Sequence, residues 1–135
     1  MSKIMWNPLH ERLASSQMNR FRKTVNTKYG INLSDYSDLY DWSVHKITAF
    51  WETMWEVSDV LVSRNYDEVV DDVTKMPGAR WFSNSRLNFT ENILRRRDDH
   101  LAIISRAEGK SDRRMTYAEL AGEVEKVSLA LRSVG

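Results

Sequence analysis

Three histidines, His10, His45 and His100, are the side chains of this sequence best suited to proton transfer near neutral pH. They stand on three separate predicted elements, and no H-E-x-x-H or other i,i+4 pair joins them, so a metal-dependent hydrolase has no ligand set. There is no cysteine, which removes thiolate metal sites, disulfide frameworks and cysteine nucleophiles together. Serines are frequent, but none lies in a G-x-S-x-G elbow, and no G-x-x-x-x-G-K-[ST] loop is present. The five glycines, at 30, 78, 109, 122 and 135, are too dispersed to build a phosphate cradle. Asp67, Glu68, Asp71 and Asp72 place carboxylates close together. Adjacent residues on a helix point about 100° apart and no histidine is near, so a solvated acidic face is the preferred reading. Arg95-Arg96-Arg97 offers a phosphate contact, but reads first as a solvated helix end favoured by the C-terminal dipole. No catalytic, cofactor-binding or metal-ligating residue is therefore assigned, and the chain does not read as a self-sufficient enzyme.

The elements that would position any such chemistry fit a globular chain. The 135 residues are 41% hydrophobic and 29% charged, with five Trp, five Tyr and four Phe, enough bulky material for one core. The net charge of +1 creates no global pull toward nucleic acid or anionic membrane. Its distribution is uneven: residues 1–30 carry +5, residues 31–79 carry −7 and residues 80–135 carry +3. Oppositely charged faces meeting each other or solvent is the simple explanation; a basic amphipathic first helix acting at a membrane or in mitochondrial import is the alternative, and Glu11 argues against import. No apolar run resembles a signal peptide or a membrane span, and with no cysteine the expected location is cytoplasmic. The sequons Asn32-Leu33-Ser34 and Asn88-Phe89-Thr90 are then chance matches.

Asn7-Pro8 predicts the start of a long helix, with Leu9, Leu13, Phe21, Val25 and Tyr29 as its apolar stripe and Gly30 as its left-handed stop. Two short helices should follow from Tyr36 through Val57. In the second, Phe50, Trp51, Met54 and Trp55 share one face and read as core rather than as a nucleobase platform, because the neighbours Glu52 and Glu56 repel phosphate. Met76-Pro77-Gly78 predicts a turn of type II. A short helix capped by Asn88 or Thr90 precedes Leu101–Ser105, an apolar run suited to a buried strand, which a polar turn joins to a return strand around Arg114 and Met115. Thr116-Tyr117-Ala118-Glu119 is a capping box that opens a helix carrying Leu120, Val124, Val127, Ala130 and Leu131. That helix runs to Gly135 with no strand after it, so the expected architecture is an interrupted one.

Met76-Pro-Gly-Ala-Arg-Trp-Phe82 followed by Arg86-Leu-Asn-Phe-Thr-Glu-Asn-Ile-Leu94 resembles the N-terminal region of the acetoacetyl-CoA synthetase family, within the adenylate-forming acyl-CoA synthetases. Leu39-Tyr-Asp-Trp-Ser-Val44, Ala49-Phe-Trp51 and Trp55 look like the same family's N-terminal segment, and Met115 through Gly135 looks like the opening strand and first helix of its large adenylation domain. The matches keep the family's order over residues 36–135. The resemblance implies an ATP-dependent ligase that forms an acyl-adenylate and pyrophosphate and then transfers the acyl group to CoA. It prefers acetoacetate to acetate or propionate. The phosphate loop, ribose-binding Asp and C-terminal Lys of that family have no counterpart here, so ATP, Mg and CoA are implied for the full-length enzyme and none is expected to bind this chain.

The expected fold is mostly α: a helical N-terminal cap followed by the opening β-hairpin and first helix of a truncated α/β adenylation domain. Its expected divisions are residues 1–35 as an N-terminal helix and linker, 36–97 as the helical cap and 98–135 as the start of the adenylation domain. Trp42, Phe50, Trp51, Trp55, Trp81 and Phe82 are expected to pack that cap. The expected partner is the remainder of the adenylation domain or a full-length synthetase, with no nucleic acid and no membrane. The alternative is a non-catalytic interaction module or truncated isoform that pairs with a full-length synthetase.

Overall fold

A computed structural model of the chain describes residues 6–135. The element order is α1 (His10–Ala14), α2 (Gln17–Tyr29), α3 (Tyr36–His45), α4 (Ile47–Val57), α5 (Phe89–Ile93), β1 (Leu101–Ser105), β2 (Arg113–Thr116) and α6 (Tyr117–Ser133). The mostly helical fold with one hairpin is the one expected. The chain divides into two compact units, one of Met1–Val60 with Asn65–Ser85, the other of Leu61–Arg64 with Arg86–Gly135.

The first unit is built on α2, α3 and α4. Phe21, Val25 and Leu39 are buried together, with Tyr29, Leu33, Trp42, Phe50 and Met54 packed around them. The single long helix expected from Asn7 to Gly30 is two helices. Ser16 breaks it: its backbone is extended, and its hydroxyl accepts the Asn19 N–H to cap α2. The preceding turn is closed by Ser15 and Ser16 hydroxyls donating to the Glu11 and Leu13 carbonyls, serine's usual competition with helical bonding. α1 begins after Leu9 without a side-chain cap, later than the start that Asn7-Pro8 predicts. The apolar stripe holds at Phe21, Val25 and Tyr29, whereas Leu9 and Leu13 are exposed. Gly30 ends α2 at φ 63° as expected, its N–H returning to Asn26.

Asp35 caps α3 by accepting the Asp38 N–H at 3.0 Å, and Asp38 in turn accepts the N–H and hydroxyl of Ser34. Residues 65–85 carry no helix. Instead, Asp67, Asp71, Phe82 and Ser83 donate backbone N–H groups to Ser83, Arg80, Val69 and Glu68, with a single bridge between Val70 and Trp81. The helical acidic face considered from sequence is thus an irregular segment whose carboxylates serve the loop. Asp71 accepts the Arg80 N–H at 2.8 Å and pairs with Lys75 at 2.9 Å, Asp72 holds Thr74, and Asp67 takes the Asn84 amide at 2.7 Å. The turn at Met76-Pro77-Gly78 is present, with a cis Met76–Pro77 peptide and Gly78 at φ 112°.

In the second unit, Asn88 caps α5 by accepting the Glu91 N–H. Asn92 exchanges two side-chain bonds with the Leu61 backbone, both 2.9 Å. β1 and β2 form an antiparallel pair whose register slips between Leu101 and Ile103, a bulge that bends the strand. α6 packs on both strands. Its capping box is complete, with Thr116 and Glu119 exchanging bonds of 3.2 and 2.8 Å. The next two N–H groups go to the His100 and Asp98 carbonyls, so its first turn leaves few orphan donors.

Two expectations about burial fail in this unit. β1 is a strand, but Leu101, Ile103 and Ile104 are exposed rather than buried. Along α6, Leu120, Ala121 and Val124 are at least half covered, while Val127 and Leu131 are 58% and 64% exposed. The reason is geometric: the 17-residue helix is about 25 Å long at 1.5 Å per residue, longer than the four- and five-residue strands it packs on.

Candidate functional site

His10 and His45 belong to the first unit and His100 to the second. His10 opens α1. His45 ends α3 with Nδ1 2.7 Å from the Asp41 carbonyl oxygen, and His100 lies in the second unit with Nδ1 3.1 Å from Asp98. Among the described residues no three His, Asp or Glu side chains converge as metal ligands. Arg96 pairs with Asp98 at 2.8 Å, so the Arg triplet is partly spent within its own loop. The glycines at 30, 78 and 109 take positive φ and serve turns. The Ser34 hydroxyl meets Asp38 and the Thr74 hydroxyl meets Asp72, each pair within one cap or turn. What both units present instead is packing.

The polar centre of the first unit is one that the sequence reading missed. Thr53 is fully buried; its hydroxyl bonds to the Ala49 carbonyl at 2.8 Å and lies 3.1 Å from the Tyr29 hydroxyl. Tyr29 reaches Glu52 at 3.1 Å, and Lys28 bridges Glu52 at 3.0 Å and Glu56 at 2.8 Å. Partial desolvation works against the Lys28 charge, but the bonds to Glu56 and Glu52 outweigh it and hold its pKa above the ordinary lysine value. The Lys28 hydrogen bond holds Glu52 low despite desolvation. This knot ties α2 to α4 with every polar atom partnered, the condition under which buried polar groups add specificity rather than cost. The only local signal is Glu52 and Glu56 one helical turn apart; Lys28 is 24 residues away.

The aromatic residues form a second cluster. Trp55 stacks on Phe82 at 4.5 Å and meets Tyr66 edge-on at 5.2 Å; Tyr66 also meets Phe82 at 5.4 Å. Trp51 sits edge-on to Trp81 at 5.9 Å and Phe50 to Phe21 at 5.6 Å. Burial raises the Tyr66 hydroxyl above its usual pKa, and Glu52 and Glu56 add to it. Phe82 holds φ 48°, a left-handed backbone that costs a residue with a Cβ about 1–2 kcal/mol. The Trp-Phe pair of the motif at 76–82 therefore joins the loop to α4. The six aromatics expected to pack the cap all make contacts in this unit, Trp42 at 5.4 Å from Tyr29.

The second unit presents the opposite situation. Leu101, Ile103 and Ile104 on the hairpin and Val127, Leu129, Leu131 and Val134 at the end of α6 are all exposed. A monomer seldom leaves this many large apolar side chains in one small element pair uncovered. Such a face is suited to binding.

Comparison with known proteins agrees. Residues 36–93 match the family described as acetyl-coenzyme A synthetase N-terminus. Over 99% of its length the chain is 37% identical to the acetoacetyl-CoA synthetase of Xenopus tropicalis and 39% identical to that of Gallus gallus. It is 36% identical over 97% of its length to the malonamoyl-CoA synthetase of Penicillium aethiopicum. The fold superposes on acetoacetyl-CoA synthetase from Streptomyces lividans with a TM-score of 0.84 at 32% identity, covering 99% of this chain and 21% of that one. The chain spans about a fifth of the length of the curated relatives it matches. In sequence and in fold, it resembles the N-terminal region of the acetoacetyl-CoA synthetases.

Proposed function

We propose that this chain serves as the N-terminal part of an ATP-dependent acid–CoA ligase, in which acetoacetate, ATP and CoA give acetoacetyl-CoA, AMP and pyrophosphate. The chain itself contributes packing rather than chemistry. Residues 36–97 act as a helical cap and residues 98–135 as the opening hairpin and helix of the adenylation domain, whose remaining sheet covers the apolar face of β1 and α6. The observation that carries this reading is that face, exposed on a helix whose N-terminus is fully capped. ATP, Mg and CoA belong to the complete enzyme, which works in the cytoplasm. Acetoacetyl and malonamoyl groups both carry a carbonyl two bonds from the thioester carbon, so the relatives' names favour a 3-oxo-type acid over a simple alkanoate.

Two experiments test this. Incubating the purified chain with acetoacetate, ATP, Mg and CoA should give no thioester; sustained acetoacetyl-CoA formation would show that the chain carries machinery denied to it here. Titrating the chain into an acetoacetyl-CoA synthetase that lacks its own N-terminal fifth should give saturable association, and Leu131→Glu should abolish it. Association with an intact synthetase instead would support the second reading, a non-catalytic module pairing through the same face.

A further inference from the structure

The first unit carries a mainly apolar groove with charged side chains at one end only. One lobe, about 410 Å³, is floored by Phe21, Leu39, Phe50 and Met54 and rimmed by Met18 and Val57, and no charged side chain lines it. The adjoining lobe, about 750 Å³, shares Met18, Tyr36 and Leu39 with the first and is lined by His10, Arg22 and Lys23. Its one carboxylate, Asp35, is committed to capping α3 through the Asp38 N–H. The Arg22 guanidinium is fixed by the Leu33 carbonyl and, at 2.8 Å, by the Asn19 side chain. Lys23 is exposed. An apolar trough thus opens onto a cationic end, within a segment of net charge +5 over residues 1–30.

From this complementarity we propose that the groove binds an anionic amphiphile, a long-chain carboxylate with its tail on Phe21, Leu39, Phe50 and Met54 and its head against Lys23 and Arg22. A volume of 410 Å³ lies within the range of small-molecule sites. At about 30 Å³ per small heavy-atom group, taken from the share of one water in the liquid, it accommodates roughly a dozen carbons. Dodecanoate is therefore the probe.

Methionine methyls give a site-resolved readout in the full chain. Met18 and Met54 line the tail lobe, whereas Met76 is almost wholly exposed in a loop and Met115 lies on β2. With methyl-13C methionine, dodecanoate below its micelle concentration should shift Met18 and Met54 saturably and leave Met76 unmoved. Dodecan-1-ol, which lacks the charge, should bind at least fivefold more weakly. Lys23→Glu should weaken dodecanoate at least fivefold and leave dodecan-1-ol unchanged, and the exposed position makes misfolding of that variant an unneeded explanation. Met18→Glu, also at the rim, should weaken both. Equal affinity for acid and alcohol, shifts confined to Met115, or uniform shifts at every methionine would each overturn the proposal. So would Met18 and Met54 shifts that follow protein concentration without ligand, which would place a second copy of the chain in the groove.

Discussion

Phe82 offers the sharpest test of how the aromatic motif at 76–82 works. Its backbone is at φ 48°, and its ring is held between Trp55 at 4.5 Å and Tyr66 at 5.4 Å. Removing the ring in Phe82→Ala forfeits two aromatic pairs of about 0.5–1.5 kcal/mol each. It also loses about 1 kcal/mol of transfer free energy, half the value for a fully buried Phe because the residue is half-buried. The expected loss is about 3 kcal/mol. Phe82→Gly loses the same ring but escapes the left-handed penalty of about 1–2 kcal/mol. Against that stands about 0.5–1 kcal/mol for glycine's extra unfolded-state entropy. Glycine should therefore be the more stable replacement by about 0.5–1 kcal/mol, the reverse of the ordinary order. Urea unfolding followed by tryptophan fluorescence measures both differences, and near-UV circular dichroism reports loss of the Trp55 stack. A Phe82→Ala variant within 0.5 kcal/mol of the parent would refute the ring's role. Phe82→Ala proving more stable than Phe82→Gly would refute the left-handed backbone.

Other predictions concern the polar knot, the cap and the loop. Thr53→Val should cost about 1 kcal/mol, one net hydrogen bond, because Tyr29 keeps the Ala49 carbonyl and Glu52 as partners. A double-mutant cycle with Tyr29→Phe should show coupling of the two losses in urea melts. Thr116→Ala should destabilise α6 by about 1 kcal/mol and speed amide exchange at Glu119, whose N–H the threonine accepts. The Arg80 N–H, with Lys75, lowers the Asp71 pKa to about 2 from its ordinary 3.8. A depressed folded-state pKa means stability that is present above about pH 4 and lost as pH falls toward 2. Asp71→Asn should accordingly differ most from the parent near neutrality and converge with it by about pH 2, as read from urea midpoints at pH 7, 4 and 2.5.

Local chemistry was legible in the sequence wherever one short segment decides the outcome. The Thr116–Glu119 box and the Gly30 stop each need only three or four residues and form as read, and of the two caps offered for α5 Asn88 is the one that forms. The Ser15–Ser16 break was not legible, because helical spacing cannot say whether Leu9 and Leu13 have anything to pack on. They receive far less cover than Phe21 and Val25. Lys28 meets Glu52 and Glu56 only through the crossing of α2 and α4, a contact without sequence proximity. The left-handed backbone at Phe82 is carried without glycine, so turn chemistry gave no warning. β1 reads as buried because its composition is apolar, and composition records what a strand is suited to meet, not what lies against it.

Reconstitution tests the central claim most directly. An acetoacetyl-CoA synthetase lacking its N-terminal fifth should form little acetoacetyl-CoA from acetoacetate, ATP, Mg and CoA, and adding this chain should restore turnover saturably, with Leu131→Glu restoring none. Thioester formation by the chain alone, or a truncated synthetase whose activity is indifferent to the chain, would contradict the account.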